Sequence, residues 1–117
     1  MNIDVRKEGN VTIATIPTID GKPSELDGET APQAQAQVLS LVEPDCQLLL
    51  DMSHVGYMSS AGLRMMLLIY RQIAAKKGQL ILVGLSDDIK DTMELTGFLR
   101  FFQTAETLEA GLQTLTT

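Results

Sequence analysis

Cysteine is almost missing from this chain. Cys46 is the single one among 117 residues, so no internal disulfide can form and cysteine-rich metal sites are excluded. It opens an apolar run and is expected to be a small packed residue. Positive charge is scarce too: 9 Lys and Arg against 15 Asp and Glu leave a net charge of −6. A nucleic-acid surface, which needs clustered cations to neutralise phosphates, is therefore not expected. Nor is an electrostatic membrane anchor, whereas a basic protein partner stays compatible with the charge. Long hydrophobic runs are absent as well. The longest, Met65 to Tyr70, falls far short of the ~20 residues that span a bilayer. The opening Met-Asn-Ile-Asp-Val-Arg lacks the basic-then-apolar layout of a secretory signal. Without such a signal the glycosylation pattern at Asn10-Val11-Thr12 is coincidental, and a cytoplasmic location is expected.

What is present suits an ordinary folded protein: 44% of residues are apolar and 21% charged, enough to bury one continuous core. Residues 2–7 and 11–16 carry Ile3, Val5, Val11, Ile13 and Ile16 on either side of Glu8-Gly9-Asn10, which predicts a β-hairpin. Pro17 stops the second strand, and residues 18–28, with their Pro, Gly, Ser and acidic residues, predict a loop. From Pro32 to Val42 the period changes. Ala31, Ala34, Val38 and Leu41 share one helical face, and Asp27 or Thr30 could cap that helix.

Gln47 to Asp51 predicts a buried strand around Leu48, Leu49 and Leu50, followed by a short loop, Met52 to Met58. The longest helix is expected from about Ser60 to Lys77, with Leu63, Leu67, Tyr70 and Ala74 as its inward stripe and Met66, Ile69 and Ile73 widening it. Lys76, Lys77 and Gly78 form its C-terminal signature. Gln79 to Gly84 predicts a second buried strand, parallel to the first through a right-handed crossover. Ser86 opens a third helix that runs towards Leu95 and stops at Gly97; Phe101 and Phe102 suggest a short strand or a packed extended segment. A last helix follows from about Ala105 to Leu115, with Leu108, Leu112 and Leu115 inward. The expectation is one α/β domain over residues 1–117 with a mixed, mostly parallel sheet, an N-terminal hairpin and about four helices.

In open α/β sheets, ligand and partner sites gather where strands deliver the chain into helix N-termini. Here that place is Asp51 to Arg64, with two adjacent hydroxyls, Ser59 and Ser60, at a helix start. Serine is a preferred N-cap, so capping alone would explain either one. Gly62, within the first turn, costs about 1 kcal/mol against Ala, which makes sense if something must approach the backbone closely there. The same place also suits a phosphate, which would meet free N–H groups and the positive end of the helix dipole.

The segment Leu48-Leu-Leu-Asp-Met-Ser-His-Val-Gly-Tyr-Met-Ser-Ser-Ala-Gly-Leu63 resembles the central motif of STAS domains, and of anti-sigma factor antagonists in particular. Ser24-Glu-Leu-Asp27 followed by Thr30-Ala-Pro32 is similar to the family's Gly-Glu-Leu-Asp and Thr-Ala-Pro segment. Leu80-Ile-Leu-Val-Gly84 resembles its fourth strand, and Glu94-Leu-Thr-Gly-Phe98 with Phe101 and Phe102 its closing segment. The resemblance implies a non-enzymatic, cytoplasmic bacterial switch that needs no cofactor or metal. Its partners would be an anti-sigma factor, usually a kinase of the histidine-kinase-like ATPase fold, and a phosphatase of the PP2C type. The kinase would phosphorylate a serine at the start of the second helix and so break the complex.

The commonest family motif reads Asp-Ser-Ser-Gly or Asp-Ser-Thr-Gly, where this chain has Ser59-Ser60-Ala61-Gly62. Aligned on Gly62, Ser60 takes the first hydroxyl position and is the primary candidate phosphosite, Ser59 the secondary one. Asp27, Met58, Ser59, Ser60, Ala61, Gly62 and Arg64 are the expected partner-binding set, with Asp51 a structural residue that bonds loop N–H groups. The single histidine, His54, finds no Gly-x-Ser-x-Gly elbow to work with and is expected to be a loop residue. An alternative function is a STAS adaptor that is never phosphorylated, such as an accessory subunit of a transport or signalling complex.

Overall fold

The computed structural model describes residues 1–116. Strands β1 (Asp4–Glu8) and β2 (Val11–Thr15) form the hairpin, pairing Asp4 with Thr15 through to Glu8 with Val11. Gly9, at φ +60°, supplies the left-handed residue that a two-residue hairpin turn needs. β2 then pairs in parallel with β4 (Gln47–Asp51), β4 with β6 (Gln79–Val83), and β6 with β7 (Gln103–Ala105). The five-stranded order is β1-β2-β4-β6-β7. A separate pair, β3 (Ser24–Leu26) with β5 (Val55–Met58), is also parallel.

Side chains alternate across a strand, and both sides of β2, β4 and β6 are covered, while the edge strand β1 is exposed throughout. Ala14, Ile16, Leu48, Leu50, Leu80 and Leu82 face one cluster, which they share with helices α1 (Thr30–Leu39), α2 (Ser60–Ala75) and α3 (Asp87–Leu95). Val11, Ile13, Leu49, Ile81 and Val83 face the other, closed by Leu108, Leu112 and Leu115 of α4 (Leu108–Thr116). A strand buried on both faces must be apolar at every position. That is why Leu48, Leu49 and Leu50 stand in a row.

Helix α2 is turned from its expected orientation. Its buried side is Leu63, Met65, Met66, Ile69 and Ile73, while Leu67 and Tyr70 are half-buried and Ala74 is exposed. Each fully buried residue of that kind contributes about 1.5–3 kcal/mol, so Met65, Met66 and Ile69 set the rotation. The C-terminus of α2 also differs. Lys77, not Gly78, takes the left-handed conformation, at φ +59°. The Lys77 N–H donates to Ala74 O at 3.0 Å and the Gly78 N–H to Ile73 O at 2.9 Å, the double bond of a Schellman cap. Gly78 is needed for space: a Cβ there would lie 2.7 Å from Cys46 Sγ and 2.9 Å from its carbonyl oxygen. Cys46 itself is half-buried and free.

The expected loops at 18–28 and 52–58 instead contain β3 and β5. Helix α1 begins two residues before Pro32 and ends at Leu39. Residues 99–101 form a 3₁₀ turn, β7 follows, and α4 starts at Leu108 rather than Ala105. No helix among the described residues is long and apolar enough to cross a membrane.

Candidate functional site

The β3–β5 pair and the first turn of α2 meet at one backbone atom, the carbonyl oxygen of Leu26. The Ser59 N–H donates to it at 2.9 Å and the Ser59 hydroxyl at 3.3 Å. Ser59 is extended, at φ −83° and ψ −178°, and its Oγ accepts the Ala61 N–H at 3.2 Å. Its hydroxyl is therefore committed in both directions, as cap and as tether, and the residue is half-buried. Ser60 is the first residue of α2, and it is exposed. Of the two hydroxyls, Ser59 holds the junction together and Ser60 faces outward.

Gly62 explains why the helix can start so close to β3. A Cβ on it would lie 2.3 Å from Met58 Cγ, 2.8 Å from Leu26 O and 3.1 Å from Leu26 Cβ. Close backbone approach, expected from an unknown neighbour, is made by the protein's own strand. Met58, placed by its position among the partner-binding residues, is 5% exposed and belongs to the core. It shapes the site from beneath and offers little surface, because an extra residue in β5, marked by the register shift between Ser24 and Glu25, turns Met58 inward along with Val55. Gly62 is also buried and Ala61 half-buried, while Arg64 is exposed on α2.

On the neighbouring element, Asp27 follows β3 directly and caps α1. Its Oδ1 accepts the N–H groups of Glu29 and Thr30, each at 3.0 Å, and the Thr30 hydroxyl at 3.1 Å. The Asp27 carbonyl oxygen takes the Ala31 N–H at 2.9 Å. Bonds from the Thr30 and Glu29 N–H groups favour the ionised carboxylate and hold its pKa below the usual value. Thr30 reciprocates, its Oγ1 accepting the Asp27 N–H at 3.0 Å and sharing its one proton between Glu25 O and Asp27 Oδ1. Asp51, buried at the end of β4, accepts the Ser53 N–H at 3.0 Å and so turns the chain from β4 toward β5. His54 is exposed, and its carbonyl oxygen receives the Ser24 N–H at 2.8 Å.

One surface residue escaped the sequence reading. Tyr57 is 53% exposed on β5, three residues before Ser60. Val55 and Met58 turn inward while Gly56 and Tyr57 turn outward, a spacing that departs from strand alternation because the register shifts between Ser24 and Glu25, so the linear sequence carried no signal for it.

Residues 2–111 match the STAS domain family model. A Bordetella bronchiseptica protein named as an anti-sigma factor antagonist, BtrV, is 32% identical over 74% of this chain and 75% of its own. Among solved structures, a Thermotoga maritima protein described as an anti-sigma factor antagonist superposes with a TM-score of 0.83 at 18% identity, over 98% of this chain and 95% of that one. The phosphorylated form of SpoIIAA, a Bacillus cell fate determinant, does so with a TM-score of 0.66 at 16% identity, over 97% and 99%. At these identities the solved structures speak for the fold alone.

Proposed function

Since this chain belongs to the STAS domain family, we propose that it acts as an anti-sigma factor antagonist: a cytoplasmic binding switch, not an enzyme, whose partner surface surrounds the start of α2. In the unmodified state that surface binds an anti-sigma factor with kinase activity and the histidine-kinase-like ATPase fold, freeing the sigma factor. Phosphorylation at Ser60 ends the complex. The Ser60 Oγ attacks the γ-phosphorus of ATP held by the kinase, and the bond from that phosphorus to its bridging oxygen breaks. ADP leaves, and the hydroxyl proton passes to a base of the kinase. A PP2C-type phosphatase reverses the change by directing water at the phosphorus, which restores the hydroxyl and releases inorganic phosphate.

The observation that carries this reading is the division of labour between two adjacent serines. Ser59 is bound up as cap and tether, whereas Ser60 sits exposed at the first helical position. A phosphate of about −1.5 to −2 charges there is favoured by the helix dipole. It therefore leaves the fold intact and changes what a partner meets, since an interface fitted to a neutral hydroxyl must then desolvate a dianion.

The test is incubation with ATP and the anti-sigma kinase encoded nearest to this chain's gene, read by intact mass and site mapping. One phosphate is expected on wild type and on Ser59→Ala, and none on Ser60→Ala, with complex formation lost on modification. An unmodified Ser60, or a phosphorylated chain that binds as before, would sink the reading and leave an unphosphorylated adaptor in its place.

A further inference from the structure

We propose that Arg64 relays the state of Ser60 to the partner, by serving two rival anions. One is the phosphate on Ser60; the other is a carboxylate of an acidic, amphipathic helix docked between α1 and α2. This rests on the reading of Ser60 as the phosphosite and gives that site its means of regulation.

A groove runs between the two helices, lined by Gln35 of α1 and by Arg64, Leu67, Leu68 and Arg71 of α2. The α2 residues are spaced as i, i+3, i+4 and i+7, so they share one face. Leu67 and Leu68 are half-buried and form an apolar floor, with an exposed arginine at either end. Among the described residues the ion pairs are Arg6–Glu8 and Lys90–Glu106; both groove arginines lack an acidic partner. In a chain of net charge −6, two unneutralised guanidinium groups flanking leucines complement a segment that places carboxylates on either side of an apolar side chain. Seven residues of helix separate them by about 10.5 Å, so a partner helix with acids two turns apart reaches both at once.

Arg64 also lies four residues after Ser60. At that spacing the Cβ atoms are about 5–6 Å apart, and side chains on a helix lean toward its N-terminus, which aims Arg64 at Ser60. A neutral hydroxyl leaves the guanidinium free for the groove. A phosphate captures it through charge-assisted bonds, so the groove loses one of its two cations and the docked helix loses a partner. Arg71, about three turns from Ser60, stays out of reach of the phosphate.

The experiment uses the full chain with phosphoserine genetically encoded at position 60, so it does not depend on whether any kinase modifies that residue in the cell. Phosphorus NMR titration is expected to show the second phosphate pKa rising by about 0.3 unit in Arg64→Gln and unchanged in Arg71→Gln. Equal values in wild type and Arg64→Gln would overturn the relay. In a second arm, the unmodified, nitrogen-15-labelled chain is titrated with a synthetic helical peptide carrying leucine between two glutamates set two turns apart. Amide shifts are expected at Gln35, Leu67, Leu68 and Arg71, with affinity about tenfold weaker once Ser60 carries phosphate. An absence of shifts in the groove, or the same affinity with and without phosphate, would overturn the docking. Failure of the kinase assay with success here would leave Arg64 a phosphate reader on a chain that its kinase ignores.

Discussion

Replacing Gly62 by alanine sets two effects against each other, and the geometry says which wins. Helix propensity favours alanine by about 1 kcal/mol at an interior position. The added Cβ, however, would lie 2.3 Å from Met58 Cγ and 2.8 Å from the Leu26 carbonyl oxygen. The methionine can swing aside. The carbonyl cannot, since it already accepts two bonds from Ser59 and belongs to the β3–β5 pair. Overpacking costs about 1–3 kcal/mol, and a contact at 2.8 Å with a fixed carbonyl belongs to the upper half of that range, about 2–3 kcal/mol, so the net expectation is a loss of about 1–2 kcal/mol, with the start of α2 pushed off β3. Urea unfolding followed by circular dichroism should show the midpoint falling by about 0.5–1 M at unchanged slope. Gly28→Ala is the control, because an added Cβ there meets nothing within 4 Å. A Gly62→Ala chain as stable as wild type, or more so, would refute the claim that close packing against β3 dictates this glycine.

The two serines should separate in stability as they do in modification. Ser59→Ala loses a cap and is expected to cost about 1 kcal/mol, while Ser60→Ala stays within about 0.5 kcal/mol of wild type by thermal unfolding; equal losses would show that both hydroxyls are structural. Lys77→Gly should stabilise the chain by about 1 kcal/mol, since Lys77 sits at φ +59° at the end of α2, and a destabilised variant by chemical denaturation would contradict that. Asp27 makes a pH-dependent contribution. Its pKa in the folded chain is lowered from 3.8 by the Thr30 and Glu29 N–H groups, so the stabilisation is fully present above the unfolded value and disappears as pH falls through the folded one. The stability difference between wild type and Asp27→Asn, measured by denaturation across pH, should be constant near neutrality and shrink below about pH 4; a difference that does not change with pH would refute the charged cap.

Much of this protein is legible in one dimension because burial leaves periodic marks. The Leu48–Leu50 run could only be a strand covered on both faces, and Ile81 with its neighbours repeats the pattern. The strand–helix–strand order then forces parallel pairing, and the hydroxyls at the start of α2 follow from the same pattern. What the linear chain left undecided lies where contacts are made between segments distant in sequence. β3 and β5 are three and four residues long, too short to display a period, and they exist as strands because they pair with each other. The rotation of α2 depended on which of several apolar residues found the deeper place against the sheet. Above all, Ser59 and Ser60 look equivalent in the sequence. A carbonyl 33 residues earlier, at Leu26, takes the first hydroxyl out of use and leaves the second open, because a hydrogen bond is decided by position in space and residue type alone does not supply it.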